Sequence, residues 1–161
     1  MTRKETILHL LETISYIESL EDVPEDIWRT PIGEQKWSLA ELVGHFTPWD
    51  RFVTEQRIPF ILKGELLPKS PKAEEVNAAS SLKSRNKPSE QIIHEFAATR
   101  SLQIRAIRTL EDSYWEQTIS IGTNVINLSN YFKGLAEHDI HHFQEIEEFL
   151  KQFNIHKPLN L

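Results

Sequence analysis

The chain has 161 residues, 39% of them hydrophobic and 26% charged, which suits one soluble globular domain spanning 1–161. A formal net charge of -6 leaves no basic excess to neutralise phosphates and speaks against general nucleic-acid binding. With no cysteine present, disulfides, thiolate ligands and cysteine nucleophiles are excluded, so any metal must be held by histidine and carboxylate.

Thr2 followed by Glu5 is a capping box, and Ile7, Leu10, Leu11, Ile14 and Ile17 repeat at helical spacing to about Leu20. His9 lies off that stripe and is expected in solvent. Glu5 and Glu12 interrupt the apolar pattern, so this segment reads as an amphipathic helix and not as a signal peptide. No run reaches membrane-spanning length, and a cytoplasmic location is expected. Glu21 to Lys36 forms a Pro-containing acidic connector, with Trp28 and Ile32 as anchors onto the core.

Ser38 and Glu41 form a second capping box, ahead of an apolar face running Leu42, His45, Trp49, Phe52 and Val53. Pro48 should kink this helix just beyond His45, and Pro59 should kink or end a later turn. Trp49 and Phe52 are expected to pack the core, the alternative being the wall of a substrate pocket. Gly64 to Pro88 reads as a long crossover with a turn or two of helix around Ala73–Leu82. A third helix opens at Ser89-Glu90-Gln91-Ile92. Ile93, Phe96, Ala97, Arg100, Ile104, Ile107 and Leu110 run down one side of it. Arg100 is expected to snorkel at the bundle edge, ahead of a role in contacting a substrate anion. Thr118 to Gly122 alternates briefly, too short a stretch for a sheet. Asn127 caps a fourth helix that runs to about Phe153. Four long amphipathic helices without a strand pair specify an all-α four-helix bundle.

Leu128, Tyr131, Leu135, Ile146, Phe149 and Phe153 mark the apolar face of the last helix, and His138 and His142 fall on it four residues apart. With His45 they give three imidazoles facing one interior. Three protein ligands with an open fourth position suit a catalytic metal that lowers the pKa of bound water or polarises a carbonyl. The second ring nitrogen of each ligand needs a partner, for which Glu41 is the first candidate and Asp139 and Glu145 weaker ones. His141 is rotated by about 100° from the pair and faces solvent or the pocket rim. His94 points outward and His156 belongs to the tail.

The run Trp37-Ser38-Leu39-Ala40-Glu41-Leu42-Val43-Gly44-His45-Phe46, followed by Trp49-Asp50 and later by His138-Asp139-Ile140-His141-His142, resembles the DinB/YfiT-like superfamily of metal-binding four-helix bundles. The resemblance spans essentially the whole chain, including the long crossover with Asn77-Ala78-Ala79. It implies up-down-down-up topology and a metal held by one histidine of the second helix and an HxxxH pair of the fourth, which are His45, His138 and His142 here. Members often carry Gln three residues after the last ligand, where this chain has Glu145 beside Gln144.

What the resemblance implies about function is broad. Relatives include S-transferases using bacillithiol or mycothiol, a maleylpyruvate isomerase, and proteins read as metal-dependent hydrolases. The expectation is a divalent-metal-dependent enzyme acting on a small molecule. Its zinc, nickel or iron would activate water or a low-molecular-weight thiol cofactor. A homodimer is expected, with no nucleic-acid or membrane partner. The alternatives are a stress-related bundle that binds metal or a ligand without turnover, and a dimerising bundle whose histidines are structural.

Overall fold

The computed structural model describes residues 1–121 and 123–159. Helix α1 (Arg3–Glu18) begins at the Thr2–Glu5 capping box, with both reciprocal hydrogen bonds formed. A 3-10 turn at Ser19–Asp22 and the short α2 (Glu25–Arg29) follow, burying Trp28 completely while Ile32 packs against the same cluster.

The second bundle helix is built in pieces, and proline sets the joints. Helix α3 (Leu39–Gly44) ends at His45, α4 (Phe46–Gln56) restarts there, and α5 (Ile58–Lys63) follows Arg57. Pro48 stands in the first turn of α4, where a missing N–H costs nothing, but it cannot donate to the carbonyl four residues back. That carbonyl, on Gly44, instead accepts the Ser80 hydroxyl at 2.9 Å. Ser80 belongs to α6 (Ala73–Ser84), a longer crossover helix than the sequence pattern suggests. Glu41 fixes the same junction, accepting from Ser38 in the cap, from Ser81 on α6 at 2.6 Å and from Arg85 at the α6 C-cap at 2.9 Å. Burial works to raise its pKa, yet these donors hold the carboxyl down to about 2.

Helix α7 (Ser89–Arg108) leads through a 3-10 turn (Asp112–Glu116) into strands β1 (Thr118–Ile121) and β2 (Asn124–Asn127). They pair antiparallel, with Thr118 opposite Asn127 and Ile121 opposite Asn124. The expectation that this stretch is too short for a sheet is therefore corrected; a two-stranded hairpin forms, its Gly122 lying outside the described residues. Asn127 then caps α8 (Leu128–Lys151), its side chain accepting from the Asn130 amide at 2.8 Å. Helices α1, α3–α4, α7 and α8 form the four-helix bundle.

Apolar packing divides into two clusters. One gathers Ile17, Trp28, Leu39, Phe46, Phe96 and Phe143; the other gathers Leu10, Val53, Ile104, Ile107, Trp115 and Phe132. On each bundle helix a polar residue stands between members of the two: Thr13 on α1, Asp50 on α4, Arg100 on α7 and Asp139 on α8. Arg100 is not at the bundle edge as expected but 2% exposed. Its Nε donates to Asp50 at 2.7 Å, and its terminal nitrogens grip both oxygens of Asp139 at 2.5 and 2.9 Å. His9 is likewise buried, its Nε2 donating to Asp139 at 2.9 Å, which corrects its placement in solvent. Neither correction is visible in local periodicity, because the partners lie far apart in sequence and each burial depends on the others.

Candidate metal centre

The buried face of α8 is centred on Phe132, Ala136, Asp139, Phe143, Ile146 and Leu150. Leu128, Ile146 and Phe149 of the expected stripe are buried too, but over the middle of the helix the face is rotated, with Phe132, Ala136, Asp139 and Phe143 inward where Tyr131 and Leu135 were expected. His138 and His142 consequently flank the buried face: His138 is exposed and His142 half-buried. His45 is 2% exposed. It sits at the α3–α4 joint, and its ring centre lies 5.4 Å from that of His138 and 4.8 Å from that of His142. The His138 and His142 rings are 4.6 Å apart. Phe46 forms the floor under all three, with ring-centre distances of 4.3, 5.7 and 5.8 Å. The structure thus brings together the three histidines that periodicity selects, one walled in and two on the rim.

Tautomers follow from the partners. His45 Nδ1 meets the Leu42 carbonyl, which can only accept, so Nδ1 carries the proton. Its Nε2 is buried without a hydrogen-bond partner among the described residues. Burial, reinforced by the neighbouring histidines, pushes this imidazole down to about 3, so the ring is neutral and Nε2 holds a free lone pair. His142 Nδ1 donates to Glu145 Oε2 at 2.8 Å, which frees its Nε2 as well. His138 is also shifted down, by partial desolvation and then by His142. Glu41 partners none of them, being spent on its cap and on α6; Leu42 and Glu145 fill that role. Asp139 is committed to Arg100 and His9.

One ligand nitrogen from each ring lies within 4.8 Å of the other two. Zn–N bonds of about 2.0–2.1 Å require nitrogens about 3.4 Å apart in a tetrahedral set, so small ring rotations would close the gap. Three imidazoles, one of them buried with an unsatisfied nitrogen beside the other two, fit a divalent ion, and the exposed side of His138 leaves room for a further ligand. His141 is exposed and stays out of this set, lying 3.8 Å from Glu145. His94 and His156 are exposed too.

Comparison with known proteins bears directly on this arrangement. The sequence model of the DinB superfamily matches residues 9–146, covering all three histidines. The chain belongs to the DinB superfamily. Among solved structures it resembles YfiT from Bacillus subtilis, described as "a probable metal-dependent hydrolase with an unusual four-helix bundle topology", with a TM-score of 0.78 at 18% identity over 94% of this chain and 87% of that one. It also resembles a mycothiol-dependent maleylpyruvate isomerase, with a TM-score of 0.67 at 14% identity over 89% of this chain but only 60% of the isomerase. No curated protein matches by sequence. At these identities the structural likenesses establish the fold that this DinB-superfamily chain shares with both.

Cavities surround the centre unevenly. Trp49 and Phe52 are half-buried and wall a cavity of about 600 Å³ between α4 and α6, together with Thr47, Val76 and Ala79. The two rings thus border a cavity rather than lying fully inside the core, and Trp49 Nε1 donates to Asn77 at 2.9 Å to hold that wall. None of His45, His138 and His142 is among the cavity's described lining residues. A separate space of about 240 Å³ lies against His142, bounded by Ile32, Lys36, Trp37, Leu42 and Glu145. The buried network of Asp50, Arg100, Asp139 and His9 is the part of this region that sequence reasoning missed. Its only signal was Arg100 interrupting an apolar row.

Proposed function

We propose that this chain is a divalent-metal-dependent enzyme acting on a small molecule, with His45, His138 and His142 holding the ion. The observation that carries the reading is His45 Nε2. A buried, unpartnered nitrogen costs about 1–3 kcal/mol, and a fold has no packing reason to keep it facing two further imidazoles. When bound, a zinc, nickel or iron ion supplies an open coordination position at which water or a low-molecular-weight thiol is deprotonated at neutral pH. The chain's own residues orient the donors. Leu42 and Glu145 fix two tautomers, Phe46 and Trp37 pack the rings, and the exposed edge of His138 admits the reactant.

Within this reading both hydrolysis and thiol transfer fit, and the mycothiol dependence of one structural relative supports the thiol route. A second reading, binding without turnover, draws on a specific feature: the nearby carboxylates Glu145 and Asp139 are already engaged by Lys36, His142, Arg100 and His9, so neither stands ready as a general base. A screen of thiol-transfer and ester- or amide-hydrolysis substrates, run with and without chelator, separates the two. Turnover abolished by chelator and restored by metal supports the enzyme. Turnover that chelator leaves untouched rules out the metal mechanism, and metal uptake with no turnover favours the binding bundle.

A further inference from the structure

Glu145 stands one turn beyond the metal-facing pair and shares its carboxylate between two elements. Its Oε2 accepts from His142 Nδ1 at 2.8 Å, and its Oε1 accepts from Lys36 Nζ at 2.6 Å. Lys36 lies in the loop ahead of α3, which is tightly closed on itself. Pro31 and Ser38 form a bridge, the Ile32 amide donates to the Trp37 carbonyl at 2.9 Å, and the Lys36 amide donates to Gly33 at 3.1 Å. Gln35 in this loop adopts φ 57, a conformation a non-glycine residue holds only when its surroundings enforce it. Trp37, two residues on, packs its ring 5.3 Å from that of His45. One loop therefore touches the α3–α4 histidine directly and an α8 histidine through Glu145.

We propose that Glu145 is the positioning residue of the metal centre, and that Lys36 clamps it so that His142 presents Nε2 to the ion. This rests on the metal reading above. A carboxylate only accepts, so while Glu145 is in place the His142 proton is fixed on Nδ1 and the metal-facing nitrogen is fixed as Nε2. The hydrogen-bonded carboxylate also makes that imidazole a stronger donor to metal. Lys36 is needed because Glu145 has a competing partner: His141 Nε2 lies 3.8 Å from the same Oε2, on the exposed side. With Oε1 tethered to the loop, the carboxylate stays on His142. An exposed lysine, outside the ligand set and on another element, thereby governs the affinity of the site.

The test uses full-length wild type, Glu145→Ala, Glu145→Gln and Lys36→Met, with metal-free thermal unfolding as the control for folding. Long-range ¹⁵N–¹H correlation on metal-free protein near pH 8.5, above the usual imidazole range, reads the tautomer of His142. Zinc affinity is read by competition with a chromophoric chelator. Wild type should show Nδ1–H. Glu145→Ala should lose that preference and bind zinc about 10- to 100-fold more weakly, with little change in metal-free unfolding. Glu145→Gln, whose amide oxygen can accept the same proton, should restore the tautomer and part of the affinity. Lys36→Met should weaken zinc in the same direction but less. Wild-type tautomer and wild-type affinity in Glu145→Ala would overturn the proposal. Should the wild type take up no zinc, the metal reading fails on its own, and the tautomers of the four proteins still decide whether Glu145 positions His142.

Discussion

His45 concentrates the tension between stability and function at a single residue. Its Nδ1 is satisfied by Leu42, its Nε2 is not, and burial holds its pKa down to about 3 from an ordinary 6.5. The folded state therefore binds fewer protons than the unfolded state between those values. Stability from this group is full above about pH 6.5 and is lost as pH falls toward 3. Replacing it with leucine should leave the metal-free protein equally or more stable in urea and flatten the decline below pH 6.5, while removing a ligand. A metal-free His45→Leu that is clearly weaker than wild type at neutral pH would mark the histidine as structural. The sequence made this residue legible through its place behind the Ser38 cap in an apolar stripe. His9 and Arg100 were misread by the same rule, since a polar side chain off or interrupting a stripe normally faces water. Asp139 reverses that here, and it lies 130 residues from His9 and 39 from Arg100.

At the scale of elements, the joint at His45 depends on what the crossover helix offers. Pro48 frees the Gly44 carbonyl, Ser80 accepts the task of bonding it, and the absence of a side chain at Gly44 lets α6 come close. A Cβ added at Gly44 would lie 1.9 Å from Ser84 Oγ and 2.6 Å from its Cβ, so α6 would have to move. Gly44→Ala should cost about 1–3 kcal/mol in denaturant unfolding, as overpacking does, and should displace His45 enough to weaken metal uptake. Gly44→Ala combined with Ser84→Gly should recover most of both; no recovery would contradict this view of the joint. The helix starts at Thr2, Ser38 and Asn127 were readable because caps are local chemistry, and so were the breaks near Pro48 and Pro59. The phase of α8 was not. Its middle turns on the buried Asp139, a charged residue that no hydrophobic count selects, and the hairpin's second strand, Asn-Val-Ile-Asn, carries asparagines that disguise it.

For the whole molecule, the ion network between the two apolar clusters is the tie that crosses all four helices. Burial, helped by the charge of Asp139, raises the Asp50 carboxyl to about 6 against the pull of Arg100. Asp139 is shifted the other way, burial being outweighed by Arg100 and His9. Removing the cation leaves two buried carboxylates side by side, so Arg100→Met should cost about 3–5 kcal/mol at pH 7. Both acids would then have folded pKa values above their unfolded ones, and their favourable contribution is present at low pH and lost as pH rises. The deficit of Arg100→Met relative to wild type should accordingly shrink from pH 7 to pH 5 in urea titrations. A deficit that grows on acidification would refute the assignment. Because Asp139 adjoins His138, the same tie sets the rotation of α8 that brings its histidines to His45.

Metal content remains the most direct test of the centre itself. Protein purified without a histidine tag, loaded with zinc or nickel and freed of excess, should retain close to one equivalent. His45→Ala, His138→Ala and His142→Ala should each lose most of it, given how strongly three imidazoles hold such ions. Less than about a tenth of an equivalent in the wild type, or retention unchanged by His138→Ala, would contradict the metal centre.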